Sequence, residues 1–208
     1  MSSSPAAPAK PGRRRQQSEE RRLRILEAAR TCFGREGYAG TTIGAIASQA
    51  GVSNGLLYQF FAGKQELFRV VVQEIVRDWG RAIAAGDEGR SASERIEGMF
   101  RNSVDFCRNH PLLPALLTAD RAAQMQDIDP QSRERLAAHR ELVAGVIRDG
   151  IASGEFDPEL DVVAAADLVG QLHIDYSTRA YRRVPEYPAD PARIDSVVAF
   201  IARALRRA

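Results

Sequence analysis

The side chains best suited to chemistry lie close together in the sequence, at Asn54, Tyr58 and Gln59, with Gly55 between them. An asparagine amide can form two hydrogen bonds with the N6 and N7 atoms of adenine. A tyrosine can stack its ring on a base and donate its hydroxyl to a phosphate, and a glycine lets a backbone approach closely. These residue types favour contact with DNA over catalysis.

No grouping typical of an active site accompanies them. The chain has no Ser/His/Asp or Cys/His arrangement, no Glu-x-x-His pair and no glycine-rich phosphate loop. Cys32 and Cys107 belong to no C-x-x-C pair, which disfavours a disulfide framework or a metal centre. We therefore expect no enzyme, no metal and no cofactor. A helical-bundle catalyst is the alternative, and measured turnover would be needed to support it.

The segment Thr42–Phe61 predicts two short helices joined by a tight turn. Thr41 is the expected cap of the first helix, Gly51 supplies a positive φ at the turn, and Ser53 caps the second helix. The apolar residues recur at three- and four-residue spacing, at Ile43, Ile46, Ala47 and Ala50 and then at Leu57 and Phe60. This pattern is typical of a helix-turn-helix, whose second helix lies in the major groove. An ordinary αα-hairpin is the alternative.

Charge is distributed unevenly along the 208 residues, although the net charge is only +2. Residues 1–65 contain ten Lys/Arg and four Asp/Glu, and the remainder contains 19 against 23. A basic end suggests that nucleic acid is bound there alone. Residues 1–17, with Arg13, Arg14 and Arg15, predict a disordered tail that either lies along phosphates or is simply solvated.

The rest of the chain predicts an all-α fold of about nine helices, since no stretch alternates long enough to form a strand. Residues typical of helix starts and helix caps set the bounds of the other helices. These helices are predicted over 18–36, over 63–85, from a Ser91 cap to Pro111, over 111–124, from Asp129 to Gly154, from Asp157 to Arg182, and from Asp190 onward, with a loop over 184–189. No apolar run is long enough to cross a bilayer and no signal core is present, so we expect a cytoplasmic protein.

Residues 20–68 closely match a known pattern: Arg24-Ile-Leu-Glu-Ala-Ala29, Phe33, Gly37-Tyr38, Thr41-Thr-Ile43, Ile46-Ala47, Ala50-Gly-Val-Ser53, Gly55-Leu-Leu-Tyr58, Phe60-Phe61, Lys64 and Glu66-Leu67. This pattern resembles the N-terminal domain of the tetracycline-repressor (TetR) family. The resemblance implies a three-helix DNA-binding domain, here residues 18–65, and a helical ligand-binding and dimerisation domain, here 66–208. A disordered basic tail, 1–17, precedes them.

The resemblance also implies which side chains meet DNA. Residues matching Asn54, Gly55, Tyr58 and Gln59 commonly face the duplex, and residues matching Thr42 and Lys64 commonly hold phosphates. We add Ser53, on the same polar face, to the candidate DNA contacts. Leu56 replaces the Ser or Thr of many relatives and Asn54 replaces a frequent Lys, which removes one phosphate bond and one charge.

The sequence of the C-terminal part predicts a domain that dimerises and senses a small-molecule ligand. The helix from Asp157 to Arg182 carries apolar residues on more than one side, and together with the last helix it suits a four-helix bundle across a twofold axis. The candidate dimer residues are Leu168, Leu172, Val197, Ile201 and Leu205. Aromatic, Met and His side chains are candidates for an effector pocket, with core packing as the alternative for each: Trp79, Phe100, Phe106, Met125, His139, His173 and Tyr176.

Together these patterns predict a homodimeric repressor of operator DNA that a small-molecule effector releases, with no membrane partner. Two alternatives share the same fold. An activator differs only in where its operator lies, and a non-specific DNA-coating protein would bind by charge with a steep salt dependence.

Overall fold

The structure, a computed structural model, describes residues 11–117, 132–182 and 190–206, and in these ranges the chain forms α-helices joined by turns and loops. Within those ranges there is no strand, as the sequence predicted. The nine helices described there are α1 Pro11–Gly40, α2 Ile43–Ala50, α3 Asn54–Phe60, α4 Lys64–Ile83, α5 Ala92–Asn109, α6 Leu112–Leu117, α7 Ser132–Ala152, α8 Val162–Arg182 and α9 Pro191–Leu205. Met125, the Asp129 cap and the loop over 184–189 lie outside the described residues.

Two compact units make up the chain, Met1–Val71 and Val72–Ala208, and the division falls within α4. The first unit has its own aromatic core. Phe33 of α1 meets the ring of Phe68 edge-on at 4.9 Å between centroids, and Tyr38 meets Phe68 at 5.0 Å. Ile25 and Leu57 of the same unit are fully buried. Among the described residues, none of the helices combines enough length with enough apolar side chains to traverse a bilayer.

Helix α1 begins at Pro11 rather than at the predicted Ser18, so residues 11–17 are helical instead of disordered. Proline suits a first helical turn because its missing N–H would have no partner there, and the arginines that follow are good helix formers. The regular helix is interrupted at Gly37, where φ is +69°. The sequence predicted the end of the helix at this residue. Glycine is suited to this place because it adopts a positive φ at little cost.

In the second unit, sequence signals located α5 and α9 correctly. Ser91 and Glu94 form the predicted capping box of α5, and Asp190 accepts a hydrogen bond from Arg193 N at 2.8 Å to cap α9. Glu155 adds a second cap to α5, because its carboxylate accepts from Ala92 N at 2.7 Å and from the next amide at 3.0 Å.

Helix α8 begins at Val162 and not after Asp157-Pro158, so that prediction is wrong. Asp157 instead forms a turn, in which its carboxylate accepts from Glu159 N at 2.9 Å. Its own N–H donates to Leu205 O at 2.9 Å, which fastens this turn to the end of α9. The helix starts only after Asp161, whose carboxylate accepts from the amides of residues 163 and 164.

Candidate DNA-binding helix and interior polar cluster

The turn between α2 and α3 has the geometry of a helix-turn-helix. Gly51 adopts φ +65° and its N–H bonds back to Ser48 O, while Val52 N donates to Ala47 O at 3.0 Å. Ala47 is 2% exposed, so a small side chain stands where the helices approach. The cap of α2 is Thr42, which accepts from Ala45 N at 3.1 Å, and not Thr41 as predicted.

Thr41 is buried, and its hydroxyl donates to Gly37 O at 2.7 Å. That bond satisfies a carbonyl at the interruption of α1, which is why the neighbouring Thr42 is left to cap α2. Both threonines have hydroxyls, so the sequence pattern alone did not distinguish the cap from its neighbour.

Helix α3 buries one side and exposes the other. Ser53 caps it by accepting from Leu56 N at 3.2 Å, and Leu57 is completely buried. On the opposite side Asn54, Gly55 and Gln59 are exposed, and Tyr58 is 56% exposed although it is large and partly apolar. A duplex could therefore reach all four residues without any rearrangement of α3.

Lys64, a predicted phosphate contact, has a structural role as well. Its ammonium donates to Tyr38 O at 2.9 Å and to Thr41 O at 3.0 Å, and it lies 4.5 Å from the centroid of the Tyr38 ring. An ammonium has three donors, so one is left over for a phosphate. Lys64 thus joins the start of α4 to the connection between α1 and α2.

A polar cluster lies inside the second unit, where α4, α5, α7 and α8 meet. Trp79 stacks on His139 at 4.9 Å and on His173 at 5.7 Å between ring centroids, and Phe100 lies 5.1 Å from His173. The two histidine rings are stacked, with His139 Nε2 and His173 Nδ1 2.8 Å apart. Four of the seven predicted pocket residues are therefore brought together.

Two serines that the sequence analysis did not single out complete this cluster. Trp79 Nε1 donates to Ser103 Oγ at 2.8 Å, and Ser103 and Ser177 share a hydrogen bond of 2.7 Å. Ser177 in turn donates to the backbone oxygen of His173 at 2.7 Å. A serine inside a helical pattern has no distinctive sequence signal, because its usual place is on the surface.

Burial keeps both histidines neutral. Desolvation lowers the pKa of His139 from 6.5 to about 4, because the apolar interior disfavours the charged ring. Desolvation also lowers the pKa of His173, to about 3, with a smaller contribution from the neighbouring His139. Desolvation raises the pKa of Cys107 to about 12. This thiol, which lies next to Ser103 and Ser177, therefore stays protonated and unreactive.

Two other predicted pocket residues, Phe106 and Tyr176, have different partners. Phe106 stacks on His110 at 4.0 Å between ring centroids, and Tyr176 has the guanidinium of Arg179 at 5.5 Å from its ring centroid. Both rings are half-buried, and neither has a ring contact with the cluster.

Comparison with known proteins agrees with this geometry. Residues 25–71 match the family model described as bacterial regulatory proteins, tetR family. The HTH-type transcriptional repressor KstR2 of Mycobacterium tuberculosis is 32% identical over 176 residues, which cover 80% of this chain and 84% of that protein. KstR2 of Mycolicibacterium smegmatis is 30% identical over 151 residues, 70% of this chain and 72% of that protein. This chain belongs to the TetR family.

Solved structures share the fold of this TetR-family chain. FadR of Bacillus halodurans, a fatty acid degradation regulator, superimposes with a TM-score of 0.76 at 19% identity and covers 90% of this chain and 97% of its own. FadR of Bacillus subtilis in complex with stearoyl-CoA gives 0.70 at 20% identity, with 89% and 100% covered. Membership of the TetR family, shown by the family model and by KstR2, makes the chain a DNA-binding transcriptional regulator and not an enzyme.

The outer face of α8 and α9 in this TetR-family chain is apolar. Leu168 is 69% exposed and borders a groove of about 300 Å³ lined by both helices. Of the other predicted dimer residues, Leu172 and Val197 are half-buried, while Ile201 and Leu205 are buried within the chain itself. Phe200, which also lines this groove, is an exposed apolar residue that was not among the predicted dimer residues.

Proposed function

We propose that this chain is a homodimeric repressor that reads operator DNA with α3 and leaves it when a small molecule binds the second unit. The observation that carries the DNA-reading part is the exposed face of α3, where Asn54 and Tyr58 stand opposite the buried Leu57. Thr42, Ser53, Gly55, Gln59 and Lys64 are proposed as further contacts. Such a regulator works where its operator lies, in the cytoplasm.

The arrangement of α3 suits base reading in detail. Asn54 is the first residue of the helix, and the first residues of a recognition helix meet base edges. Tyr58 lies one turn further along the same face. Thr42 and Ser53 already use their hydroxyl oxygens as caps, but each hydroxyl hydrogen is still available to donate to a phosphate.

The dimer proposal rests on the exposed apolar side chains of α8 and α9. A short recognition helix contacts few bases, so useful specificity needs two copies on neighbouring half-sites. Leu168 and Phe200, exposed to 69% and 62%, are the large apolar residues that a second copy would cover. Exposed apolar patches of this kind mark interaction surfaces.

The effector proposal rests on the polar cluster around Trp79 and on the likeness to FadR of Bacillus subtilis, whose structure is a complex with stearoyl-CoA. A ligand changes DNA binding only if it has different affinities for the two states of the protein. We propose that the effector favours a spacing of the two α3 helices that does not match the operator. The helix that contributes residues to both units, α4, is the proposed link.

Replacement of Tyr58 tests the DNA-reading proposal. DNA selected from a random pool by the purified chain serves as operator, and Tyr58→Ala is expected to weaken binding at least tenfold, since two half-sites each lose a contact worth about 1 kcal/mol or more. Leu23→Ala is the matched control, because Leu23 is exposed to a similar 53% but lies on α1. Wild-type affinity of Tyr58→Ala would refute the assignment, and a pool without enriched sequences would favour non-specific coating.

A charge on the outer face of α8 tests the dimer. Leu168→Asp and Phe200→Asp are each expected to shift the protein from dimer to monomer in sedimentation velocity, because an unpaired buried charge is costly. Ala138→Asp, at an exposed residue of α7, is the control and should remain dimeric. A wild-type chain that sediments as a monomer at all concentrations would refute the dimer proposal.

A further inference from the structure

The hydrogen bonds of the histidine pair run in one fixed direction. His173 Nε2 lies 3.0 Å from Met99 O, and a carbonyl can only accept, so His173 has its proton on Nε2. In the neutral ring its Nδ1 is then an acceptor, and His139 Nε2, 2.8 Å away, must donate to it. His139 therefore has its single proton on Nε2, which leaves its Nδ1 as a hydrogen-bond acceptor.

This Nδ1 atom is buried, and no donor of the described residues reaches it. His139 is only 5% exposed. Among the described residues of the same unit, the other buried side-chain atoms without a hydrogen-bond partner belong to Asp87, Ser93 and Arg95, all half-buried residues. Buried polar atoms are almost always paired, so an interior acceptor without a protein donor needs a donor from a bound molecule.

Gly170 of α8 leaves room in front of that atom. A Cβ added to Gly170 would meet only the His139 ring, at 3.7 Å from Cε1 and 3.8 Å from Nδ1. Both are ordinary van der Waals distances. The missing side chain thus leaves a space about the size of a methyl group next to the Cε1–Nδ1 edge of the ring, from which an oxygen atom could approach Nδ1 to hydrogen-bonding distance.

We propose that His139 Nδ1 accepts a hydrogen bond from a hydroxyl group of the effector, and that the effector is a neutral, largely apolar alcohol. This inference rests on the proposed effector-regulated function. A carboxylate has no proton to donate, and its charge would be costly among Trp79, Phe100 and the neutral histidines. A ketone only accepts, and an ammonium group would bury an unpaired charge.

Two isomeric probes separate the hydroxyl from the rest of the molecule. The alcohol n-octanol and heptyl methyl ether have the same composition, but only the alcohol can donate. Titration is followed by the fluorescence of Trp79, the single tryptophan of the chain, and by the ¹⁵N resonance of His139 Nδ1. We expect n-octanol to bind at least about fivefold more tightly than the ether, because the alcohol forms one additional hydrogen bond to a neutral acceptor. That hydrogen bond should also shift the Nδ1 resonance.

Three variants complete the test. Gly170→Ala fills the space without a steric clash and should abolish the preference for the alcohol. His139→Phe keeps a stacked ring without an acceptor and should do the same, and either variant suffices if the other fails to fold. His110→Phe is the matched control, since His110 stacks on Phe106 outside the cluster, and it should keep the preference.

The outcomes distinguish this inference from the proposed function. Equal binding of both isomers, binding of neither, or an Nδ1 resonance that already shows a hydrogen bond to water in the free protein would each overturn the inference. Release of the selected operator by a compound without a donor would leave the proposed function intact and overturn only the inference. An operator complex that no compound of a broad metabolite screen dissociates would refute the proposed function.

Discussion

Mild acid should destabilise this protein through its two buried histidines. The folded chain holds His139 with a pKa of about 4 and His173 with a pKa of about 3, whereas both have the ordinary value of 6.5 when unfolded. Below pH 6.5 the unfolded chain therefore binds more protons than the folded chain, so the free energy of unfolding falls as the pH falls. The stabilisation is fully present above pH 6.5 and is lost progressively toward pH 4 and 3.

The expected size follows from these pKa values. At about pH 5 each unfolded histidine is almost fully protonated and each folded one is almost fully neutral, which corresponds to a loss of about 2 kcal/mol per histidine relative to neutral pH. For the pair the loss is about 4 kcal/mol, a large part of a typical total stability of about 5–15 kcal/mol. Burial is the main cause of both pKa shifts, and the neighbouring His139 makes a smaller contribution to that of His173.

Urea unfolding between about pH 7.5 and pH 5, at one fixed protein concentration, measures this loss. Trp79 fluorescence reports on the unit that contains both histidines. His139→Phe should roughly halve the decline, and the double variant His139→Phe/His173→Phe should nearly remove it. His110→Phe should decline like the wild type. A wild-type stability that stays flat over this range would refute the burial argument, whatever the variants do.

Three further substitutions test local contacts. Lys64→Met should destabilise the first unit by about 1–3 kcal/mol, because two backbone carbonyls lose their donor, and thermal unfolding measures it. Gly150→Ala should lower the stability by about 1–3 kcal/mol, because the new Cβ would clash with the ring of Phe156. Gly145→Ala on the same helix is the control and should be neutral or stabilising, because its Cβ would meet nothing within 4 Å. Equal melting temperatures of the two variants would contradict this. Glu155→Ala should cost about 1 kcal/mol in urea unfolding through lost bonds to the start of α5, and no change would contradict the capping role.

Local sequence signals sufficed to predict the helix-turn-helix and most of the other helices. Helical spacing, the glycine at the turn and the Ser53 cap each act over a few residues, so Gly51 and α3 were predicted correctly. The helix caps Ser91 and Asp190 could be predicted for the same reason, because a cap bonds to an amide only a few residues away. Where two similar residues competed, as at Thr41 and Thr42, or where a turn imitated a helix start, as at Asp157, the local pattern gave the wrong assignment.

The tertiary structure decided everything that depends on which distant residues meet. His139 and His173 were candidates by type alone, and only the packing of α7 against α8 showed that their rings share a hydrogen bond and that one nitrogen is left without a donor. Likewise Ile201 and Phe200 are both apolar in the sequence, yet one is buried and the other is exposed. Sequence periodicity tells which residues are apolar, but burial depends on where neighbouring helices lie, and that is set by the whole fold.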